Sequence, residues 1–91
     1  MSDKSVITVV GKDRVGIVFD VAKILAENQV NIVNLSQQIM DDYFTMILLV
    51  NTSACTISRG QMLDVLAQAS KDLHLDIRMQ DKDLFNAMHR I

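Results

Sequence analysis

The chain has 91 residues, of which 49% are hydrophobic and 22% charged, and its formal net charge is −2. A chain of this length forms one small domain. It has only three glycines and no proline, so no linker that would mark a second domain is recognised. The acidic balance argues against nucleic-acid binding, which needs Lys and Arg to displace counterions, and the longest apolar run, Met46–Val50, is too short for the ~20 residues of a membrane span.

The first predicted elements are a short strand and an amphipathic helix. Val6–Val10 is apolar and rich in β-branched residues, which favours a central strand buried on both faces. The helix has an apolar stripe at i, i+4, i+7 and i+8, formed by Ile17, Val21, Ile24 and Leu25. We expect Asp13 to cap its N-terminus and Asn28 to end it, because Asn tolerates the left-handed conformation.

The next segment, residues 30–40, has the alternation of a strand but an unusual number of amide side chains. We expect Val33, Leu35 and Ile39 to share one face, with Ile32 on the other. A strand this polar favours the edge of a sheet. Its amides are Asn31, Asn34, Gln37 and Gln38.

The second half of the chain repeats a strand, a helix and a strand. Residues 43–50, after a turn at 41–42, are apolar on both faces and predict a central strand. Ser58 and Gln61 match a capping box before the second helix, and residues 74–80 alternate as an edge strand. The order β-α-β-β-α-β predicts an α+β, ferredoxin-like fold, with both helices on one face of a four-stranded antiparallel sheet.

The domain is expected to span residues 1–80, followed by an amphipathic helical tail over residues 81–91. The apolar side of this tail is formed by Leu84, Phe85, Met88 and Ile91. A helix of about two turns is unstable alone in water, so it needs a surface to pack on. We expect that surface to be the sheet face opposite the two helices, in the same chain or in a partner.

Catalytic and metal-binding patterns are weak. Cys55, His74 and His89 fall in a predicted loop, an exposed strand face and the tail, so they form no nucleophile–base pair. The chain has no CxxC or HxxxH spacing, and we expect no metal site and no cofactor. The prediction is therefore a protein that is not an enzyme, and the lone cysteine fits the reducing cytoplasm.

Two other protein classes share this element order and fit less well. An RNA-recognition module displays aromatic residues together on its sheet, whereas Tyr43 and Phe44 are adjacent and point to opposite faces. An acylphosphatase-like enzyme needs an Arg in the first loop with an Asn nearby. Arg14 and Asn34 are available for those roles, but no further match supports them.

Residues 11–17, GKDRVGI, enter the first helix and suggest a ligand site. A helix N-terminus attracts carboxylates and phosphates, and Gly11 and Gly16 allow the backbone to approach a ligand closely. Taken alone, a capped turn is the simpler interpretation. The amides of the following strand supply both donors and acceptors, which suits a zwitterionic ligand.

Three segments resemble an ACT domain, a small regulatory module that commonly binds amino acids: G-K-D-R-V-G-I-V, L-A-E-N-Q-V-N-I-V-N-L-S-Q and F-T-M. The combination is similar to the N-terminal ACT domain of formyltetrahydrofolate deformylases and to glycine-cleavage repressor-like proteins, over Val6–Gln80. The resemblance implies a homodimer with an amino-acid site at the subunit interface. The site residues that it implies are Asp13, Arg14, Val15, Gly16, Ile17, Asn31 and Ile32. The amide-rich strand adds Asn34.

The chain departs from that family pattern in two respects. Val15 stands where many relatives have Pro, which leaves the loop less rigid. The deformylase catalytic domain is absent, so we do not expect hydrolase activity. An alternative function is a protein-interaction module, in which the loop and the edge strand dock a partner enzyme or regulator without a ligand.

Overall fold

A computed structural model describes residues 3–83, which form four strands and two helices. The elements are β1 (Lys4–Lys12), α1 (Ile17–Glu27), β2 (Asn31–Met40), β3 (Tyr43–Asn51), α2 (Arg59–Leu73) and β4 (Asp76–Asp81). The strands form one antiparallel sheet in the order β2-β3-β1-β4. The predicted ferredoxin-like fold is confirmed, with β1 and β3 in the centre. The predicted tail lies outside the described residues beyond Asp83.

The hydrophobic core lies between the two helices and one face of the sheet. Ile7 and Val9 of β1 are fully buried on this face, and alternate residues of β3 from Phe44 to Val50 are buried beside them. The opposite face, which we call the open face, carries Val6, Thr8, Val10, Ile47 and Leu49. Val10 and Ile47 are 41% and 42% exposed, so the central strands are not buried on both faces along their whole length.

The predicted capping box at the start of α2 is confirmed. The Gln61 N–H donates to Ser58 Oγ at 3.1 Å, and the Ser58 N–H donates to Gln61 Oε1 at 2.9 Å. At the other end, His74 takes a left-handed conformation (φ 56°) and closes the helix. The last strand therefore begins at Asp76, two residues after its predicted start.

A β-bulge changes the predicted faces of β2. Ile32 lies opposite Val50 and Asn34 opposite Leu49, which leaves Val33 as an extra residue. The bulge turns Ile32 toward the core and leaves Val33 exposed. The prediction that Val33 shares a face with Leu35 is wrong, because alternation holds only where no residue is inserted.

The first helix ends where the sequence predicts, but Asn28 does not end it by adopting the left-handed conformation. Asn28 follows the last residue of α1, but its φ is −105°, and the left-handed residue is Gln29 (φ 59°). The Asn28 side chain instead donates to the Ile24 carbonyl at 2.9 Å. That bond satisfies one of the carbonyl groups left unpaired at a helix C-terminus.

Candidate ligand site

The loop of residues 13–16 connects β1 to α1 at the end of the sheet that carries the β2–β3 turn. The Asp13 N–H donates to the Asp42 carbonyl at 2.6 Å. Arg14 Nη1 lies 3.1 Å from Asp20 Oδ2 in the first turn of α1. The loop is thus attached to the turn on one side and to the helix on the other.

The N-terminus of α1 has no side-chain cap. Its N-cap is Gly16 in a left-handed conformation (φ 90°), and no side-chain hydrogen bond caps it. The predicted cap, Asp13, is wrong, because a cap must directly precede the first helical residue and Asp13 lies three residues before Gly16. The Asp20 N–H binds the Gly16 carbonyl at 2.9 Å, so the orphan donors lie on the residues before Asp20. Such donors attract an anion.

The side chains around this helix start differ sharply in exposure. Ile17 is 2% exposed and belongs to the core, so it can offer a ligand only its backbone. Val15 is 98% exposed at the tip of the loop. Phe19, in the first turn of α1, is 68% exposed and adds an apolar surface that the sequence analysis missed. The sequence signal for this surface is that Phe19 is a large apolar residue outside the apolar stripe that contains Ile17 and Val21.

The other predicted site residues lie at the opposite end of the sheet. Asn31 pairs with Asn51, which in turn pairs with Lys4 at the start of β1. The loop instead follows Lys12, which pairs with Tyr43. Eight residue steps along β1 separate the two ends, roughly 26 Å. One chain therefore does not bring Asn31, Ile32 and Asn34 together with the loop.

The amides of β2 have different surroundings. Asn34 Oδ1 accepts from the Leu35 N–H at 2.8 Å beside the bulge, while Asn31 is exposed at the start of the strand. Gln37 and Gln38 lie nearer the loop, opposite Met46 and Thr45. Because adjacent residues point to opposite faces, these two glutamines do not form one polar surface.

An open groove of about 410 Å³ lies between the outer sides of α1 and α2. Its lining includes Lys23, Ile24 and Glu27 from α1 and Gln68 and Asp72 from α2. None of the predicted site residues lines this groove. Asp20 lines the groove and pairs with Arg14, so the groove adjoins the loop. We place the candidate site at the loop because the uncapped helix end is there.

The side chains considered above for catalysis and metal binding do not form a reactive group at the loop. Within residues 3–83, no three His, Cys, Asp or Glu side chains lie close enough to hold a metal ion. Cys55 lines a cavity of about 110 Å³ with Met62 and Met79, beyond the end of β3. His74 lies at the opposite end of the sheet from Cys55, the end that carries the loop, where its backbone carbonyl is close to Gly11. No helix in this part of the chain is long and apolar enough to cross a membrane.

Comparison with known proteins assigns the family. The family model for the ACT domain matches residues 4–80. The chain belongs to the ACT domain family. A UPF0237 protein of Neisseria meningitidis serogroup B is 67% identical over 89 residues, which is 98% of this chain and 99% of that protein.

Solved structures agree with this assignment. An ACT domain protein from Streptococcus pneumoniae has a TM-score of 0.81 at 34% identity and covers 98% of this chain and 100% of its own. A formyltetrahydrofolate deformylase from Pseudomonas syringae has a TM-score of 0.79 at 18% identity, over 88% of this chain and 28% of the deformylase. A glycine cleavage repressor-like protein has a TM-score of 0.75 at 16% identity, over 88% and 47% of the two chains. The predicted resemblance to an ACT domain is confirmed. The predicted resemblances to the deformylases and to the glycine-cleavage repressor-like proteins are confirmed at the level of the fold.

Proposed function

We propose that this ACT domain is a non-catalytic, regulatory homodimer that binds an amino acid or a similar zwitterion at the start of α1. The observation that carries the proposal is the uncapped N-terminus of α1 behind an exposed loop. A ligand carboxylate there accepts hydrogen bonds from the first-turn N–H groups, which no side chain caps. Gly16, with its positive φ and open surroundings, lets a ligand approach the backbone closely.

The dimer is proposed to form along β2. Among residues 3–83, β2 is the longer of the two edge strands, with ten residues against six in β4. Val33, Ile39 and Met40 of β2 are large apolar residues that are exposed, whereas no such residue occurs on the described β4. Unpaired backbone groups and exposed apolar side chains on one edge favour pairing with a second strand.

Antiparallel pairing of two β2 strands brings the two halves of the predicted site together. A two-fold axis near Leu35 and Ser36, at the middle of β2, sets Asn31 of the partner beside Met40. Met40 adjoins the turn that carries the loop through Asp42. Residues that lie at opposite ends of the sheet within one chain thus become neighbours across the interface, as the predicted site requires.

Each group then has a definite role in the proposed site. The backbone N–H groups after Gly16 hold the carboxylate, while Asn31 of the partner and Asp13 hold the ammonium group or the ligand side chain. Arg14 is already paired with Asp20, so its main effect is to fix the loop on α1. Binding would order the loop and the interface together, which couples ligand concentration to the stability of the dimer.

A thermal-shift screen of the amino acids tests this proposal. At a hundred times its Kd, a ligand specific for the folded state stabilises it by about 2.7 kcal/mol, which raises the Tm by about 10 °C or more. The matched control is the corresponding amino-acid amide, which lacks the carboxylate and should raise the Tm far less. The proposal fails if no amino acid raises the Tm at any accessible concentration.

One observation favours a second function, docking of a partner protein. Val15 and Phe19 are apolar and largely exposed on the same helix entrance. Exposed apolar side chains on a loop are a common feature of protein-binding surfaces. In that case the loop would bind a partner enzyme or regulator directly, and the amino-acid screen would be negative while Val15→Ser weakened the partner complex.

A further inference from the structure

The groove between α1 and α2 has one helix as each of its walls. Its lining comes from α1 at residues 20, 23, 24 and 27, and from α2 at residues 65, 68, 69, 72 and 73. Residues three and four apart lie on the same side of a helix. Each wall is therefore one continuous side of a helix, about two turns long.

The floor of this groove is apolar. Ile24, Val65 and Leu73 are partly buried there, and Ala69 is buried. The side chain of Ala69 is only a methyl group, which leaves space above it for a side chain of a partner. A small-molecule pocket encloses most of its ligand, whereas this groove is open to solvent. The shape therefore favours a helix laid along the groove over a small molecule.

The charged residues of the groove are mainly acidic. Asp20, Glu27 and Asp72 line it, and among the described residues Lys23 is the one basic residue in the lining. Arg14 pairs with Asp20 from the side of the loop and does not itself line the groove. An acidic surface around an apolar floor favours a partner with basic residues.

The acidic residues lie at both ends of the groove. The helix α1 begins at the loop, whereas α2 runs the opposite way and ends at His74, whose carbonyl is close to Gly11. Asp20 and Asp72 therefore lie at the loop end, and Glu27 lies at the other end. Asp20 and Glu27 are seven residues apart on one helix, about 10.5 Å along its axis.

We propose that the groove binds a helix of another protein that carries Lys or Arg at two positions seven residues apart, with apolar residues between them. A helix lying along the groove has the same rise per residue as α1, so its positions i and i+7 reach the two acidic ends. Its positions i+3 and i+4 then face the apolar floor. This surface differs from the loop residues Val15 and Phe19, and its partner would bind without an amino acid at the loop.

Two synthetic peptides of equal helicity test the proposal on the full, ¹⁵N-labelled chain. One peptide carries Lys at i and i+7 with Leu at i+3 and i+4, and the other carries Glu in place of both Lys. The Lys peptide should shift the amide signals of Ile24, Ala69 and Leu73, and the Glu peptide should bind at least about tenfold more weakly. The proposal is overturned if the Lys peptide causes no shift at millimolar concentration or if both peptides bind equally. Shifts of these signals on dilution of the chain alone would assign the groove to a second copy, which also overturns it.

Charge reversal locates the contact. Glu27→Lys, at an exposed position, should weaken binding of the Lys peptide about tenfold. A peptide in which one of the two Lys residues is replaced by Glu should then bind this variant better than the Lys peptide does. The matched control is Asp64→Lys, which makes the same charge change at an exposed residue of α2 outside the groove lining and should leave the affinity unchanged. Equal losses in both variants would show only general attraction to an acidic chain and would overturn the proposal.

Discussion

Gly16→Val is expected to abolish the Tm increase caused by the amino-acid ligand while the chain still folds. The φ of 90° at Gly16 lies in a region that β-branched residues rarely adopt, so valine must strain the loop or move it. In either case the N–H groups that hold the carboxylate lose their arrangement. The strain itself should lower the free energy of unfolding by about 1–2 kcal/mol. Thermal shift with and without ligand measures both effects.

Gly60→Ala is the matched control for this variant. Gly60 lies in the first turn of α2, has no positive φ, and an added Cβ would meet only Ser58 Oγ at 4.0 Å. Alanine there should stabilise the chain by about 0.5–1 kcal/mol, because glycine is a poor helix former. The ligand response should not change. A full ligand response in Gly16→Val would show that the loop is not the site.

Ser36→Lys is expected to convert the homodimer into a monomer, with the Kd of the dimer raised at least about 100-fold. Ser36 is exposed near the middle of β2, where the two-fold axis would pass. Lysine on an edge strand opposes pairing, and the axis would place the two new positive charges close together. Sedimentation equilibrium measures the Kd. If the site spans both chains, the ligand response falls with the dimer.

The control for Ser36→Lys is Ser53→Lys, the same charge change at an exposed position in the connection after β3. This variant should remain a dimer and keep its ligand response. A wild-type chain that is monomeric at micromolar concentration would contradict the proposed assembly. The same conclusion would follow from a Ser36→Lys chain whose Kd is unchanged.

The fold could be predicted because burial follows the period of each element. The stripe that begins with Ile17 and Val21 faces the core as expected, and so does the alternation of Leu75, Ile77 and Met79. The polarity of β2 placed it correctly at an edge. These patterns depend on side-chain burial, which the sequence carries directly.

Local backbone details could not be predicted in the same way. The bulge at Val33 inserts one residue and reverses the face of Ile32. The two apolar residues Ile32 and Val33 are adjacent, and this break in the alternation does not by itself say which of them faces the core. Gly16, rather than Asp13, starts α1 because the chain turns through a left-handed residue before the helix begins. The Asp13–Asp42 hydrogen bond joins backbone groups whose approach depends on strand register, so no side-chain pattern announces it.

The candidate site was likewise predicted in part. The sequence identified a glycine-containing helix entrance and an amide-rich strand, and both exist in the structure. Asn31 lies at the far end of the sheet from Gly16, because β1 and β2 both run antiparallel to β3 and therefore begin at the same end. The site prediction overlooked this consequence of the predicted fold. Within the proposed function, only a second copy brings the two together.

A mixing experiment tests that claim most directly. The loop variant Gly16→Val and the strand variant Asn31→Ala should each bind the screened amino acid poorly as homodimers. In a heterodimer, one site carries both defects and the other carries neither, so an equilibrated equal mixture should recover about a quarter of the wild-type binding capacity. Calorimetric titration measures this capacity. A mixture that binds no more than the separate variants would contradict a site shared between two chains.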